Sequence, residues 1–283
     1  SVHVEVSGLN PNQLYYYRFK AGSELSPVGR TKTLPALGSA VPAMTFAFAS
    51  CQHYEHGYYT AYQRMAEEDL DMVIHLGDYI YEHASGQYPV PSGNVRSHNS
   101  RQPQTLEEYR NRHALYKSDP HLQKAHAAFP WVVVWDDHEV ENNYAGEIAE
   151  KGEPRTNFIR RRAAAYRAYY EHMPLRSGSM PRQTGLRLYR RFYYGNLVNL
   201  HVLDTRQYRD DQANGDGWKQ PSRESADPNR SLLGDEQERW LLTGLEQSKA
   251  RWNVIAQQIF FSKKDVRIGS GELLSMDSWD GYP

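Results

Sequence analysis

Gly77-Asp78-Tyr79-Ile80-Tyr81 sets a carboxylate and a phenol three residues apart, directly after the short apolar run Met72–Leu76. Such a run reads as a buried strand, and Gly77, having no Cβ, lets the chain turn sharply at its end. Asp78 and Tyr81 then stand at the carboxyl end of a strand, where open α/β sheets place their sites. Both offer hard oxygen ligands, and a phenolate suits trivalent iron better than calcium or magnesium. A strand–loop junction with a capping Asp and packed tyrosines would use the same residues without chemistry. Two more apolar runs end in the same way. Met44–Ala49 leads to Cys51 and His53, and Trp131–Trp135 leads to Asp136, Asp137 and His138. Neighbouring parallel strands lie about 4.8 Å apart, so three such ends can meet around two metals ~3.5–4 Å apart, the spacing used in phosphoryl transfer. A metal pair of this kind clamps the phosphate and makes hydroxide from a bridging water. Asp78 is the natural bridging ligand, and Asp137, next to His138, the ligand of a second metal. His138 would protonate the leaving oxygen or stabilise the equatorial ones. Asp204, Arg206 and Arg209 either orient phosphate with the guanidinium fork or form a structural ion pair.

The elements that must hold these groups follow a βα rhythm. Gly57–Asp69 reads as a helix, as do Thr105–Lys117 and Pro120–Ala128, the last capped by Ser118 or Asp119. Tyr88–Gln104 is a Pro/Gly/Ser/Asn loop of a length usual for functional or lid segments. Asn157–His172 is a long helix whose Arg160, Arg161, Arg162 and Arg167 read as a solvated face. Leu186–Tyr194 and Leu197–Leu203 pair across Gly195-Asn196, a two-residue hairpin signal. Gly234–Lys249 is a further helix, Asn253–Ala256 a further strand, and Asp265–Pro283 an irregular tail in which Asp280 approaches the site. His53, His75 and His83 read as structural. Ahead of this region, Val2, Val4 and Val6 alternate with polar residues, as do Tyr15, Tyr17 and Phe19, and Val28–Thr33 is a third short strand. Three strands cannot close a sandwich core. Residues 1–34 therefore read as the last strands of an immunoglobulin- or fibronectin-like β domain, 35–43 as a linker, and 44–283 as an α/β catalytic domain.

Composition narrows the function further. Of 283 residues, 39% are hydrophobic, enough for one large core. Lys and Arg total 33 against 34 Asp and Glu, which gives no broad attraction to nucleic acid or to a membrane surface. No apolar run approaches the ~20 residues of a membrane span, and no signal peptide opens the chain. The single cysteine, Cys51, excludes an internal disulfide.

Together, Ala49-Ser50-Cys51-Gln52, His75-Leu76-Gly77-Asp78-Tyr79-Ile80-Tyr81-Glu82, Trp135-Asp136-Asp137-His138-Glu139-Val140-Glu141-Asn142-Asn143, Leu203-Asp204-Thr205-Arg206-Gln207-Tyr208-Arg209 and Asp280-Gly281-Tyr282 resemble the PhoD-type alkaline phosphatases. The resemblance runs from about Val2 to the last residue. It implies an Ig-like domain joined to a metallophosphatase-type α/β sandwich, with Fe(3+) held by Cys51, Asp78 and Tyr81 and Ca(2+) nearby. Asn142 and Asn143 are then amide-oxygen candidates for the calcium. It also implies hydrolysis of small phosphate monoesters outside the cytoplasm. The Gly-Asp-x-x-Tyr motif is similar to that of purple acid phosphatases too, but those place Asp-x-His and Gly-Asn-His where Cys51-Gln52-His53 and Asp136-Asp137-His138 stand here. A late Gly-Asp-x-His-type segment does not follow Tyr282, so both ends read as clipped. The rivals are the same site used on phosphodiesters, including phospholipid headgroups, a non-catalytic module that folds without iron, and a thiol hydrolase built on Cys51 with His53 or His75.

Overall fold

The computed structural model describes residues 1–264, 266–268 and 271–283. Its centre is a parallel three-stranded sheet in the order Phe46–Ala49, Met72–His75, Trp131–Val133. All four residues of the middle strand are buried, as an unbroken apolar run between two parallel neighbours requires. This order brings the three chemically loaded strand ends side by side. A second sheet has Trp252–Ala256 parallel to Val198–Val202, which pairs antiparallel with Arg190–Tyr194. The hairpin forms where expected, but its turn takes three residues, Gly195, Asn196 and Leu197, with Tyr194 opposite Val198, and its first strand begins at Arg190 rather than Leu186. Gly195 sits at φ +57°, and a Cβ there would lie 2.5 Å from the Ser39 carbonyl oxygen. Val73, Ile74 and Val133 of one sheet share a single core with Val198, Leu200 and Val202 of the other. The fold is α/β.

The helix Leu106–Lys117 opens with a complete capping box between Thr105 and Glu108, and Pro120–Ala128 is capped by Asp119. The first predicted helix shortens to Thr60–Met65. Arg155–His172 packs against Leu106–Lys117, and its basic face is not wholly solvated. Arg161 and Arg162 are buried. Arg161 pairs with Glu141 and with Glu153 at 2.6 Å, while Arg162 donates to the Gly146 carbonyl. Buried guanidinium groups persist only when paired in this way, and Arg160 alone keeps the exposed position expected of the face.

Three other expectations change. Val2, Val4 and Val6 lie outside any strand with their side chains exposed. The segment is instead tied to the 170s, where His3 stacks on Tyr170 and Glu5 accepts from the Ser177 N–H at 2.8 Å. The observed amino-terminal pairing is Leu14–Tyr17 with Gly29–Lys32. The tail is not irregular: Val266–Ile268 and Gly271–Ser275 pair antiparallel, and Trp218–Lys219 joins them, strands too short for an alternation to show in sequence. Asp265, also assigned to that tail, lies outside the described residues. The Tyr88–Gln104 loop has no regular element but is strapped down by buried charges. Glu55 accepts from the His98 N–H at 2.8 Å and the Gly86 N–H at 3.1 Å. Arg96 reaches the Tyr54 and Gly57 carbonyls and Asp119, with its guanidinium 3.8 Å from the Tyr54 ring centroid. Arg112 donates to the His83 carbonyl at 2.9 Å and to the Arg101 carbonyl at 3.1 Å.

Candidate metal centre

The sharp turn at Gly77 is obligatory. Its φ is +106°, and a Cβ would lie 2.3 Å from the Asp136 nitrogen. The strand end carrying Asp78 thus touches the strand end carrying Asp136 backbone to backbone. On its other side, Cys51 N donates to the Gly77 carbonyl at 3.2 Å and Gln52 N to the Asp78 carbonyl at 3.1 Å. Cys51, Asp78 and Asn143 all adopt left-handed backbone conformations, at φ +57°, +54° and +50°. Each costs about 1–3 kcal/mol and persists only where the surroundings over-determine it. Glu139 supplies much of that determination. Its carboxylate accepts from the N–H groups of Asp78 (3.1 Å), Tyr79 (2.5 Å) and Asp136 (2.8 Å), stitching the two ligand-bearing turns together.

Within this frame, ligand atoms of Asp78, Asp137 and His138 all fall within 4.8 Å of one another. Tyr81 Oη donates to Asp78 Oδ2 at 2.9 Å, and its ring stacks on His138 at 4.2 Å. The other Asp78 oxygen, Oδ1, is buried and has no hydrogen-bond partner. Burial, then the charges of Asp137 and Asp136, hold the Asp78 carboxyl well above the ordinary range. Partial burial and the Asp78 carboxylate push the Cys51 thiol up to about 12, and burial with the same carboxylate raises the Tyr81 phenol. A thiol so held is a poor free nucleophile. By contrast, Asp137 is held low by Arg206 and His138 against its burial, and Asp137 and Glu82 hold His138 well above the ordinary imidazole range against its own. An orphaned carboxylate oxygen amid surplus acid, a phenol and a thiol fits a bound cation, which would neutralise the acids and ionise the thiol and phenol.

The remaining expected residues surround this group. Asn143 N donates to Asp137 Oδ2 at 2.6 Å, and its Nδ2 donates to Asp216, so its Oδ1 is the amide atom left for a cation. Asn142 is turned instead to Glu150, with Nδ2 donating at 2.7 Å. Arg206 is buried and already engaged. Its Nε donates to Asp136 at 2.6 Å, and its two Nη groups fork onto Asp277 at 2.6 and 2.8 Å. Arg209 joins it on Asp277 at 2.6 Å. Asp204 accepts the Arg206 and Gln207 N–H groups at 3.0 and 2.9 Å. In this geometry the arginines present an ion-pair hub, with three of the five Arg206 N–H groups committed to Asp136 and Asp277. The Asp280 carboxylate accepts from the Lys264 N–H at 3.1 Å. Asp277, three residues earlier, is the tail carboxylate that meets Arg206 and Arg209. Asp277, Glu82 and Glu139 are the residues that sequence reasoning passed over. The two glutamates stand inside the motifs singled out, but nothing in their spacing shows what their carboxylates hold.

The PhoD-like phosphatase profile matches residues 46–283, and that of the PhoD-like phosphatase N-terminal domain matches 1–35. The chain belongs to the PhoD-like phosphatase family. It is 66% identical, over all 283 residues, to alkaline phosphatase D of Bacillus subtilis (strain 168), and covers 48% of that protein. A solved structure of PhoD superposes with a TM-score of 0.98 at 66% identity, over 100% of this chain and 54% of that one. The purple acid phosphatase of yellow lupin (Lupinus luteus) seeds shares the fold at a TM-score of 0.51 and 14% identity, with 91% of this chain and 38% of that one covered. The chain thus spans about half the length of the PhoD relatives it matches. Among the described residues, no helix is long and apolar enough to cross a membrane.

Proposed function

We propose that this chain carries the hydrolytic centre of a metal-dependent phosphomonoesterase. In this reading Cys51, Asp78 and Tyr81 hold Fe(3+), while Asp137 and the Asn143 amide oxygen take Ca(2+) beside it. The observation that carries it is Asp78: one oxygen bonded to Tyr81, the other buried and unpartnered beside Asp137 and His138. When bound, such cations polarise the phosphate and lower the pKa of a water. His138 holds the proton for the leaving oxygen. Arg206, engaged on Asp136 and Asp277, fixes the acids rather than gripping phosphate. In this reading the pairing of Leu14–Tyr17 with Gly29–Lys32 within residues 1–34 belongs to an Ig-like domain, and 35–43 join it to the catalytic domain. The protein acts outside the cytoplasm, which cell fractionation checks.

The test begins with elemental analysis and a visible spectrum of the purified chain. A broad phenolate- or thiolate-to-iron band that disappears in Tyr81→Phe supports the iron assignment, and failure to take up iron on reconstitution sinks it. Hydrolysis of p-nitrophenyl phosphate is then compared with that of bis(p-nitrophenyl) phosphate. Faster turnover of the diester would replace the monoester reading by the phosphodiesterase one.

A further inference from the structure

We propose that Glu82 is the positioning residue for His138, holding its Nδ1–H so that Nε2 serves the Asp78–Asp137 centre. The kinetic part of this inference rests on the phosphatase reading above; the structural part does not. Glu82 is 1% exposed, and one short segment engages both its oxygens. Oε2 accepts from His138 Nδ1 at 2.8 Å and Oε1 from the Asn142 N–H at 2.9 Å. An ionised carboxylate only accepts, so Nδ1 carries a proton and Nε2 is the nitrogen left for chemistry. The ring cannot turn to exchange them. Tyr81 stacks on it at 4.2 Å, and His83 meets it edge-on at 5.0 Å. The Asn142 bond also ties the same carboxylate to the turn bearing Asp137 and Asn143. A carboxylate behind an imidazole fixes tautomer and orientation and raises basicity. In the reaction, the P–O ester bond breaks with its electron pair on the leaving oxygen, which takes the proton from Nε2. Water supplies the new oxygen on phosphorus, and the proton it releases restores His138. Glu82 touches none of these atoms.

The experiment uses two monoesters that differ in their need for that proton. Nitrophenolate leaves p-nitrophenyl phosphate unaided, whereas ethanol does not leave ethyl phosphate without it. Glu82→Gln should lower kcat for ethyl phosphate by about 10–100-fold, with KM and metal content unchanged and a loss of about threefold or less for p-nitrophenyl phosphate. Glu82→Asp, which keeps an acceptor on a shorter arm, should recover part of the difference. Equal losses on both esters, or no loss on either, overturn the proposal. A readout independent of turnover is the ring-nitrogen shifts of His138 in 15N-histidine-labelled protein, assigned by the signal missing in His138→Gln. Parent protein should show Nδ1 protonated, and Glu82→Gln should move the neutral ring toward the Nε2–H tautomer. An unprotonated Nδ1 in the parent overturns the proposal at any activity. If the parent hydrolyses neither ester, the phosphatase reading falls, and the nitrogen shifts alone decide the part played by Glu82.

Discussion

Removing the Glu139 carboxylate should loosen the metal centre from behind, without touching a candidate ligand. In Glu139→Ala, three buried N–H groups lose one shared acceptor: those of Asp78, Tyr79 and Asp136. Burial lifts the Glu139 carboxyl to about 8, so each bond is reckoned as a buried N–H left without its acceptor, about 1–3 kcal/mol, of which water entering the vacated space recovers part. We expect a net loss of about 3–5 kcal/mol, a large share of the ~5–15 kcal/mol that holds a domain folded. The strain at Asp78 acts in the same direction. Its φ of +54° lies in a region costing about 1–3 kcal/mol, and two of the three lost bonds pin its peptide and the next. In Glu139→Gln, the amide oxygen can stand where Oε2 accepts from both Asp78 and Asp136, while the amide nitrogen faces the Tyr79 N–H. One bond is then replaced by a donor–donor contact, for a loss of about 2 kcal/mol. Urea unfolding with chelator present measures this free of any metal contribution, and metal titration of the folded proteins should show affinity falling about 10–100-fold. An alanine variant within about 0.5 kcal/mol of the parent would refute the clasp. So would a glutamine variant as unstable as the alanine one, because the acceptors would not then be divided as the distances indicate.

Gly77→Ala adds a Cβ 2.3 Å from the Asp136 nitrogen at a φ of +106°, and should cost more than about 2 kcal/mol and abolish metal uptake, read by urea unfolding and elemental analysis. Arg96→Ala removes the cation beneath the Tyr54 ring and its bonds to Asp119 and Gly57, so the Tyr88–Gln104 loop should become the fastest site of proteolytic cleavage. Glu171 is held at about 2 by its bond to Arg110, with Arg167 assisting against partial burial. Its folded value is depressed, so the stabilisation is full above the ordinary 4.5 and is lost as the pH falls toward 2. Because both arginines are partly exposed, Glu171→Gln should cost only about 1 kcal/mol at pH 7, a difference that vanishes in melts run near pH 2.

What the sequence disclosed depended on how local each signal was. Met72–Ile74 and Trp131–Val133 could be recognised because strands buried on both faces read as near-continuous apolar runs, which the buried His75 ends. Gly195-Asn196 was equally local, and Thr105 with Glu108 forms a cap across three residues. Arg161 and Arg162 misled because a charge on a helix reads as solvated until a partner is known. Their partners, Glu141 and Gly146, lie outside the helix, 20 and 16 residues away. The same distance hid half of the site. Glu139 reaches Asp78 across 61 residues, Glu82 reaches His138 across 56, and Asp277 meets Arg206 across 71. The acids of the centre look alike in sequence and differ in what their oxygens do. Glu139 and Glu82 have both oxygens engaged by N–H groups, and Asp277 by guanidinium groups, so these carboxyl groups are fixed in place from within. Asp78 alone among them keeps a buried oxygen without a partner, and its neighbours keep that oxygen from turning away. A buried carboxyl held in that state takes up a proton or a cation, and its neighbours Asp137, Tyr81 and His138 offer a cation further donors. The three scaffold acids are therefore the reason Asp78 can act as a ligand.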